Sequence, residues 1–186
     1  MKRAISALVL TLALSPLSYA KEVAGVNIQD SISAAGTNLQ LNGAGIRSKW
    51  FMDIYVGGLY LPQKGADAAA IINADEPQAI KLHMISGLVT SDKMKAATME
   101  GFENATGGNL APIKDEVDAF IDVFSEEIKE NDVYDLVYVP GKGVEVFKNE
   151  ELKDTIGSLA FKKALFGIWL SDKPAQEKLK SEMLGG

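Results

Sequence analysis

The chain has 186 residues, of which 47% are hydrophobic and 24% are charged, and its formal net charge is −6. Because an acidic protein is repelled by the phosphate backbone, a nucleic acid is not expected as a partner. The sequence contains no cysteine, which excludes disulfide bonds and thiolate chemistry, so the fold must depend on its hydrophobic core.

The first twenty residues have the pattern of a secretory signal peptide. Lys2 and Arg3 precede an apolar run that ends near Leu14, and small residues lead to Ala20. This run is too short to span a membrane. We therefore predict a cleaved signal peptide over residues 1–20, a periplasmic or secreted protein without stable membrane insertion, and a single domain over residues 21–186. Without Lys2 and Arg3, 17 basic residues remain against 25 acidic ones, a formal charge of −8.

The first half of the remaining chain shows mainly strand patterns. Short strands are predicted at Glu22–Asn27 and Asn38–Asn42, and a longer strand at Trp50–Leu61. In the longer strand Met52, Ile54 and Val56 form an apolar face. The mixed opposite face, which we expect to line a cavity, consists of Phe51, Asp53, Tyr55, Gly57 and Leu59. A short helix at Ala66–Asn73 and a strand at Gln78–Ser86 follow.

The second half alternates between helical and strand patterns. Ser91 is predicted to cap a helix that runs to about Ala105. The next helix has an apolar stripe formed by Val117, Phe120, Ile121, Phe124 and Ile128, and its acidic residues are expected to face water rather than to bind calcium. Pro140 to Gly143 is a predicted hairpin turn, and Glu150–Ile156 a short strand.

The chain ends in two predicted amphipathic helices. The first presents a stripe of Phe161, Ala164, Leu165, Ile168 and Trp169, and the second runs through Leu179 to Met183, with Pro174 in its first turn. Strands clustered among helices without regular alternation predict an α+β fold in which helices cover one face of a sheet.

Several chemistries are disfavoured by the residues present. His83 is the single histidine and alternates with apolar Leu82 and Met84, so we expect it to be solvated or at a rim. Gly43 and Gly45 form a GxG pattern, but Ser48 replaces the third glycine of a dinucleotide motif, and a strand follows instead of a helix. We predict no cofactor and no metal.

The candidate site is the stretch from Leu41 to Leu61, which places Arg47 and Tyr55 beside a long apolar run. A charge beside apolar strands is costly to bury unless it is paired. Arg47 therefore requires either an acidic protein partner or an anionic ligand.

Three segments resemble the chalcone isomerase family, and in particular its bacterial exported, chalcone isomerase-like branch. These are GAGIR at Gly43 to Arg47, DIYVGGLYL at Asp53 to Leu61, and the closing stretch Leu159 to Gly185. The resemblance implies an open-faced β-sandwich, in which helices cover a large antiparallel sheet and a ligand cleft lies between them.

The resemblance also implies two different roles for the site. In the plant enzymes the arginine of this motif holds a developing phenolate, helped by a strand threonine and a separate tyrosine. Arg47 matches that arginine, but Tyr55 stands at the threonine position, which is similar to the fatty-acid-binding members, where guanidinium and phenol hold a carboxylate. The second tyrosine of the enzymes maps to the segment from Lys81 to Met84, which contains no tyrosine. A further hydroxyl residue maps near Gly167 or Ile168, neither of which has a hydroxyl group.

Three hypotheses follow from these residues. In the first, a monomeric, non-catalytic protein binds a fatty acid or similar apolar anion through Arg47 and Tyr55. In the second, an isomerase or lyase cyclises an enone or phenolic substrate, with Arg47 as the catalytic group that stabilises an oxyanion. In the third, Arg47 pairs with Asp53 or another carboxylate in a structural or interaction module of the cell envelope.

Overall fold

A computed structural model of the protein describes residues 21–34 and 36–186. The predicted signal peptide lies outside these residues. The strands are β1 (Lys21–Val23), β2 (Val26–Ile28), β3 (Ser31–Ala34), β4 (Thr37–Lys49), β5 (Met52–Leu61), β6 (Gln78–Met84), β7 (Val133–Val139), β8 (Gly143–Lys148) and β9 (Glu151–Ile156). The α-helices are α1 (Ala68–Asn73), α2 (Ser91–Thr106), α3 (Lys114–Asp122), α4 (Leu159–Leu170) and α5 (Glu177–Met183).

Strands β3 to β9 form one antiparallel sheet in which the spatial order equals the chain order. Alternate side chains of the strands face opposite sides. On one side Leu59, Leu82 and Leu136 pack with the helices, and on the other Val56 and Tyr60 pack with the small hairpin of β1 and β2. The predicted α+β class, a large antiparallel sheet covered by helices, is confirmed.

Strand β4 is longer than predicted. The sequence indicated a strand that ended at Asn42, because glycines usually weaken strands. Instead, Gly43 and Gly45 lie inside β4 and pair with Leu59 and Gly57 of β5. These glycines therefore belong to the sheet and form no phosphate-binding loop.

Other element boundaries also differ from the prediction. Helix α1 begins at Ala68 instead of Ala66, β5 begins at Met52 instead of Trp50, and β6 ends at Met84 instead of Ser86. Thr90, not Ser91, caps α2, since its hydroxyl accepts a hydrogen bond from the backbone N–H of Lys93 at 3.3 Å. Helix α3 ends at Asp122 and continues as a short 3₁₀ turn, so that Ile128 is buried from a loop. Pro174 precedes α5, which begins at Glu177, and is not in its first turn.

Lys162 joins α4 to α1. Its side chain is fully buried, and its ammonium donates hydrogen bonds to the carbonyl oxygens of Ile71, Ile72 and Ala74 at 2.8, 3.0 and 2.9 Å. These carbonyls lie at the C-terminal end of α1, where helix carbonyls have no partner within the helix. We predict that Lys162→Met lowers the free energy of unfolding by about 2 kcal/mol, measured by urea unfolding at pH 7.

The contribution of Lys162 should depend on pH. Burial lowers the pKa of Lys162 to about 8 from its ordinary value of 10.5. Between these values the unfolded chain keeps the proton that the folded chain has lost, so stability rises with pH. The difference in unfolding free energy between the native chain and Lys162→Met should therefore widen from pH 8 to pH 10, and a constant difference would contradict this prediction.

Candidate functional site

A cavity of about 500 Å³ lies between the sheet and helices α2 and α4. This volume falls within the range of about 300–1,000 Å³ found for small-molecule sites. Most of its lining is apolar and comes from Ile54, Leu82, Leu88, Val89, Met94, Phe120, Phe124 and Ile168. Arg47 and Tyr55 also line it, so the cavity combines an apolar body with a polar group at the strands.

Arg47 and Tyr55 are direct neighbours across β4 and β5. Their Cα atoms are register partners, and a register irregularity follows between Arg47 and Ser48. Side chains of directly opposite residues lie on the same face of a sheet, about 5 Å apart at Cβ. The hairpin therefore brings both residues of the predicted site to one cavity.

The guanidinium of Arg47 is held by neutral protein groups. Its Nη1 donates to the carbonyl oxygen of Ser48 at 2.6 Å and to Oε1 of Gln176 at 3.4 Å. The same Gln176 oxygen accepts from the backbone N–H of Ser48 at 2.9 Å, which fixes the chain just before α5 against β4. These contacts orient the half-buried guanidinium without neutralising its charge.

The carboxylate of Asp53 is not the counter-ion of Arg47. Asp53 is exposed and accepts a hydrogen bond from the Ser48 hydroxyl at 2.6 Å. Across residues 21–34 and 36–186, no carboxylate oxygen lies within 4.0 Å of an Arg47 nitrogen. The ion pair that the third hypothesis requires is absent from this part of the chain, which leaves the charge available to an anion.

Tyr55 is 6% exposed, and its hydroxyl oxygen accepts a hydrogen bond from Nε1 of Trp169 at 2.9 Å. Burial raises the pKa of Tyr55, although the Trp169 hydrogen bond and the nearby Arg47 charge act in the opposite direction. The phenol is therefore neutral at ordinary pH. Because the oxygen already accepts from Trp169, its own O–H is the group that remains to donate.

The positions at which the hydroxyl groups of the plant enzymes were expected carry none. Met84, which pairs with Tyr55 across β5 and β6, is fully buried and carries no phenol. Ile168 lines the cavity and packs against Gly101 of α2, while Gly167 faces Ala105. At Ile168 the cavity wall is apolar.

Two site residues were not recognised from the sequence. Trp169 was assigned to the apolar stripe of the last long helix, and its indole N–H, which needs an acceptor when buried, was the signal that it contacts a polar group. Gln176 carried no such signal, because its role arises only when the chain before α5 meets β4.

The opposite face of the sheet contains a second, more polar groove. His83 is half-buried there, which agrees with the expected rim position, and Lys81 pairs with Asp135 at 2.8 Å. Within the described ranges no group of three or more His, Cys, Asp or Glu residues is placed to hold a metal ion. In the same ranges, none of the helices has the length and apolarity needed to cross a membrane.

The chain belongs to the chalcone isomerase-like family, whose model matches residues 20–185. Among solved structures it is similar to a fatty-acid binding protein of Arabidopsis thaliana, with a TM-score of 0.63 and 15% sequence identity. The match covers 83% of this chain and 95% of the Arabidopsis chain, and at this identity it establishes the shared fold. Comparison with curated protein sequences gives no match.

Proposed function

We propose that this protein is a non-catalytic binding protein that holds a long-chain fatty acid, or a similar apolar anion, in the cavity between sheet and helices. The carboxylate would contact the guanidinium of Arg47 and the hydroxyl of Tyr55, and the hydrocarbon tail would contact the apolar lining. The observation that carries the proposal is a guanidinium that has no carboxylate partner among the described residues, beside a neutral phenol at an apolar cavity.

Physical chemistry supports this pairing. A guanidinium offers a planar set of donors that matches a carboxylate, and charge-assisted hydrogen bonds are stronger where water is excluded. The Arabidopsis protein with the same fold is a fatty-acid binding protein, which makes an apolar carboxylate a natural first ligand to test.

The test compares a carboxylate with its uncharged analogue. Delipidated protein is titrated with hexadecanoate and with methyl hexadecanoate, which has the same tail but no charge. We expect the acid to bind at least about tenfold more tightly, because only the acid pairs a negative charge with the Arg47 guanidinium. Equal affinities would exclude the proposed role of the charged pair.

The enzymatic hypothesis predicts a different result. Incubation with a chalcone would then lower the enone absorbance faster than buffer alone. We expect no such acceleration, because neither the segment Lys81 to Met84 nor Gly167 and Ile168 supplies the hydroxyl groups that the family resemblance implies for an enzyme. A rate above buffer that is lost in Arg47→Ala would favour the isomerase instead.

Replacing Tyr55 by Phe isolates the hydroxyl group. The ring keeps its packing, but the carboxylate loses one donor and the Trp169 indole loses its acceptor. We predict that hexadecanoate affinity falls about fivefold to tenfold, measured by the same titration, while methyl hexadecanoate affinity falls less, because its carbonyl oxygen is uncharged. An unchanged affinity for the acid would show that Tyr55 only fills the core.

The proposed location of this function is outside the cytoplasm. Lys2, Arg3 and the apolar run before Ala20 support export with cleavage near Lys21. N-terminal sequencing of the protein recovered from the periplasm or medium should begin close to Lys21, and a chain that retains Met1 in the cytoplasm would contradict it.

A further inference from the structure

Large apolar side chains are exposed beside the opening of the cavity. We call them the apolar rim: Trp50, Phe51, Met52 and Leu88, with exposed fractions of 86%, 104%, 39% and 65%. Trp50, Met52 and Leu88 also line the cavity, so the rim continues into the apolar lining. Grouped exposed apolar residues on a protein surface mark interaction sites.

The backbone at Trp50 argues against a purely structural origin of the rim. Lys49 and Met52 pair at the end of β4 and β5, so Trp50 and Phe51 form a two-residue turn. The φ angle of Trp50 is 58°, a left-handed conformation that such turns usually give to glycine, asparagine or aspartate. A bulky aromatic residue is strained there and gains nothing from packing, since it is exposed. The side chain is therefore better explained by a contact outside the molecule.

The charges around the rim identify the kind of surface it fits. Lys49 and Lys93 line the cavity together with a single acidic residue, Glu100, on a chain whose net charge is −6. Asp53 lies nearby and keeps its negative charge, so three cations (Arg47, Lys49 and Lys93) stand against two carboxylates beside the rim. Exposed aromatic residues with adjacent lysines match the interface of a bilayer, where aromatic rings sit at the headgroup level and lysines contact anionic lipids.

We propose that the apolar rim docks on the surface of a lipid bilayer that contains anionic lipids, with Trp50 and Phe51 placed among the headgroups. An apolar ligand would then pass between the bilayer and the cavity without crossing water. The identity of that ligand rests on the proposed function, whereas the docking rests on the rim itself. A second copy of the chain is a poorer occupant. A stable dimer buries about 1,200–2,000 Å², and the rim, which consists of one turn and one loop residue, is too small to supply such an interface.

The test measures sedimentation of the protein with vesicles. Vesicles of phosphatidylcholine alone are compared with vesicles that also contain phosphatidylglycerol, using the native chain and the variants Phe51→Ser and Trp50→Gly/Phe51→Ser. We expect the native chain to prefer the anionic vesicles. The double variant should bind these vesicles with an affinity that is lower by at least about tenfold. Glycine accepts the φ angle of Trp50, so the thermal midpoint should not fall, and lost binding would not reflect unfolding.

Leu152→Ser is the matched control. Leu152 is 49% exposed on β9, the edge strand that lies farthest from β3 and four strands away from β5 in the sheet order. Its replacement removes an exposed apolar side chain of similar size away from the cavity, and vesicle binding should not change.

Tryptophan fluorescence gives a second measurement. The chain has two tryptophans, of which Trp50 is 86% exposed and Trp169 is 4% exposed. Anionic vesicles should shift the emission of the native chain to shorter wavelength, and this shift should be absent in Trp50→Phe. A shift that persists in Trp50→Phe would place the change at Trp169 and contradict docking by the rim.

These experiments separate the docking proposal from the ligand proposal. Vesicle binding that is insensitive to both rim variants, or absent for every lipid composition, overturns docking. Self-association of the native chain that disappears in the double variant, without vesicle binding, would assign the rim to a contact between copies and also overturns it. Vesicle binding that is retained in Tyr55→Phe supports docking. Equal affinities for the acid and its methyl ester would remove the ligand assignment and leave the docking proposal intact.

Discussion

Replacing Arg47 by Ala is expected to lower the affinity for hexadecanoate about thirtyfold or more. The substitution removes charge-assisted hydrogen bonds with a combined contribution of about 2 kcal/mol, and every tenfold change in affinity corresponds to about 1.4 kcal/mol. Ser48 and Gln176 contact Arg47 only through neutral oxygens, so the variant leaves no buried carboxylate unpaired. The loss should therefore appear in binding and not in folding.

Two comparisons make this prediction specific. Arg47→Lys keeps the positive charge but lacks the planar donor set, so its affinity should lie between those of the native chain and Arg47→Ala. Methyl hexadecanoate should lose much less affinity than hexadecanoate in Arg47→Ala, because it has no negative charge to pair with the guanidinium. Retained hexadecanoate affinity in Arg47→Ala, measured by calorimetric titration, would show that the carboxylate does not use this residue.

The second large effect is expected for Gly43→Ala, which should reduce both stability and ligand affinity. A Cβ atom at Gly43 would lie 2.1 Å from the carbonyl oxygen of Glu182 and 2.9 Å from that of Met183. Asn42 holds the same segment by a hydrogen bond from Nδ2 to the Met183 oxygen at 2.8 Å. An alanine would push the end of α5 away from β4, at a cost of about 2–3 kcal/mol.

The displacement of α5 connects this glycine to the site. Gln176 immediately precedes α5 and is hydrogen-bonded to Ser48 and Arg47, so movement of the helix releases the guanidinium. Gly57→Ala is the control for a strand glycine, since its Cβ would meet side-chain atoms only at 3.5 Å or more. Urea unfolding should show a lower midpoint for Gly43→Ala than for Gly57→Ala, and equal midpoints would contradict the close approach of α5.

Local patterns were sufficient to predict most of the fold. The spacing of Phe161, Leu165 and Trp169 predicted α4, and Pro140 to Gly143 predicted the turn between β7 and β8, because both depend on neighbouring residues. The extent of β4 was not predictable in this way. Its central glycines are there because α5, about 140 residues later in the chain, packs directly on the strand.

The same distinction applies to the site. Arg47 and Tyr55 were identified because charge and phenol stand out in an apolar segment, and the hairpin places them side by side. Trp169 and Gln176 were not, because each meets its partner only after folding, at sequence separations of 114 and 128 residues. The family resemblance based on the GAGIR and DIYVGGLYL segments was confirmed over residues 20–185, while the roles of Arg47 and Tyr55 stay predictions.

A crystal structure of the protein with bound hexadecanoate tests the central claim most directly. We predict that both carboxylate oxygens lie within hydrogen-bond distance of the Arg47 guanidinium or the Tyr55 hydroxyl, with the tail between Leu82 of the sheet and Met94 of α2. A carboxylate bound elsewhere, with Arg47 turned toward a protein acid and the cavity closed, would contradict the account.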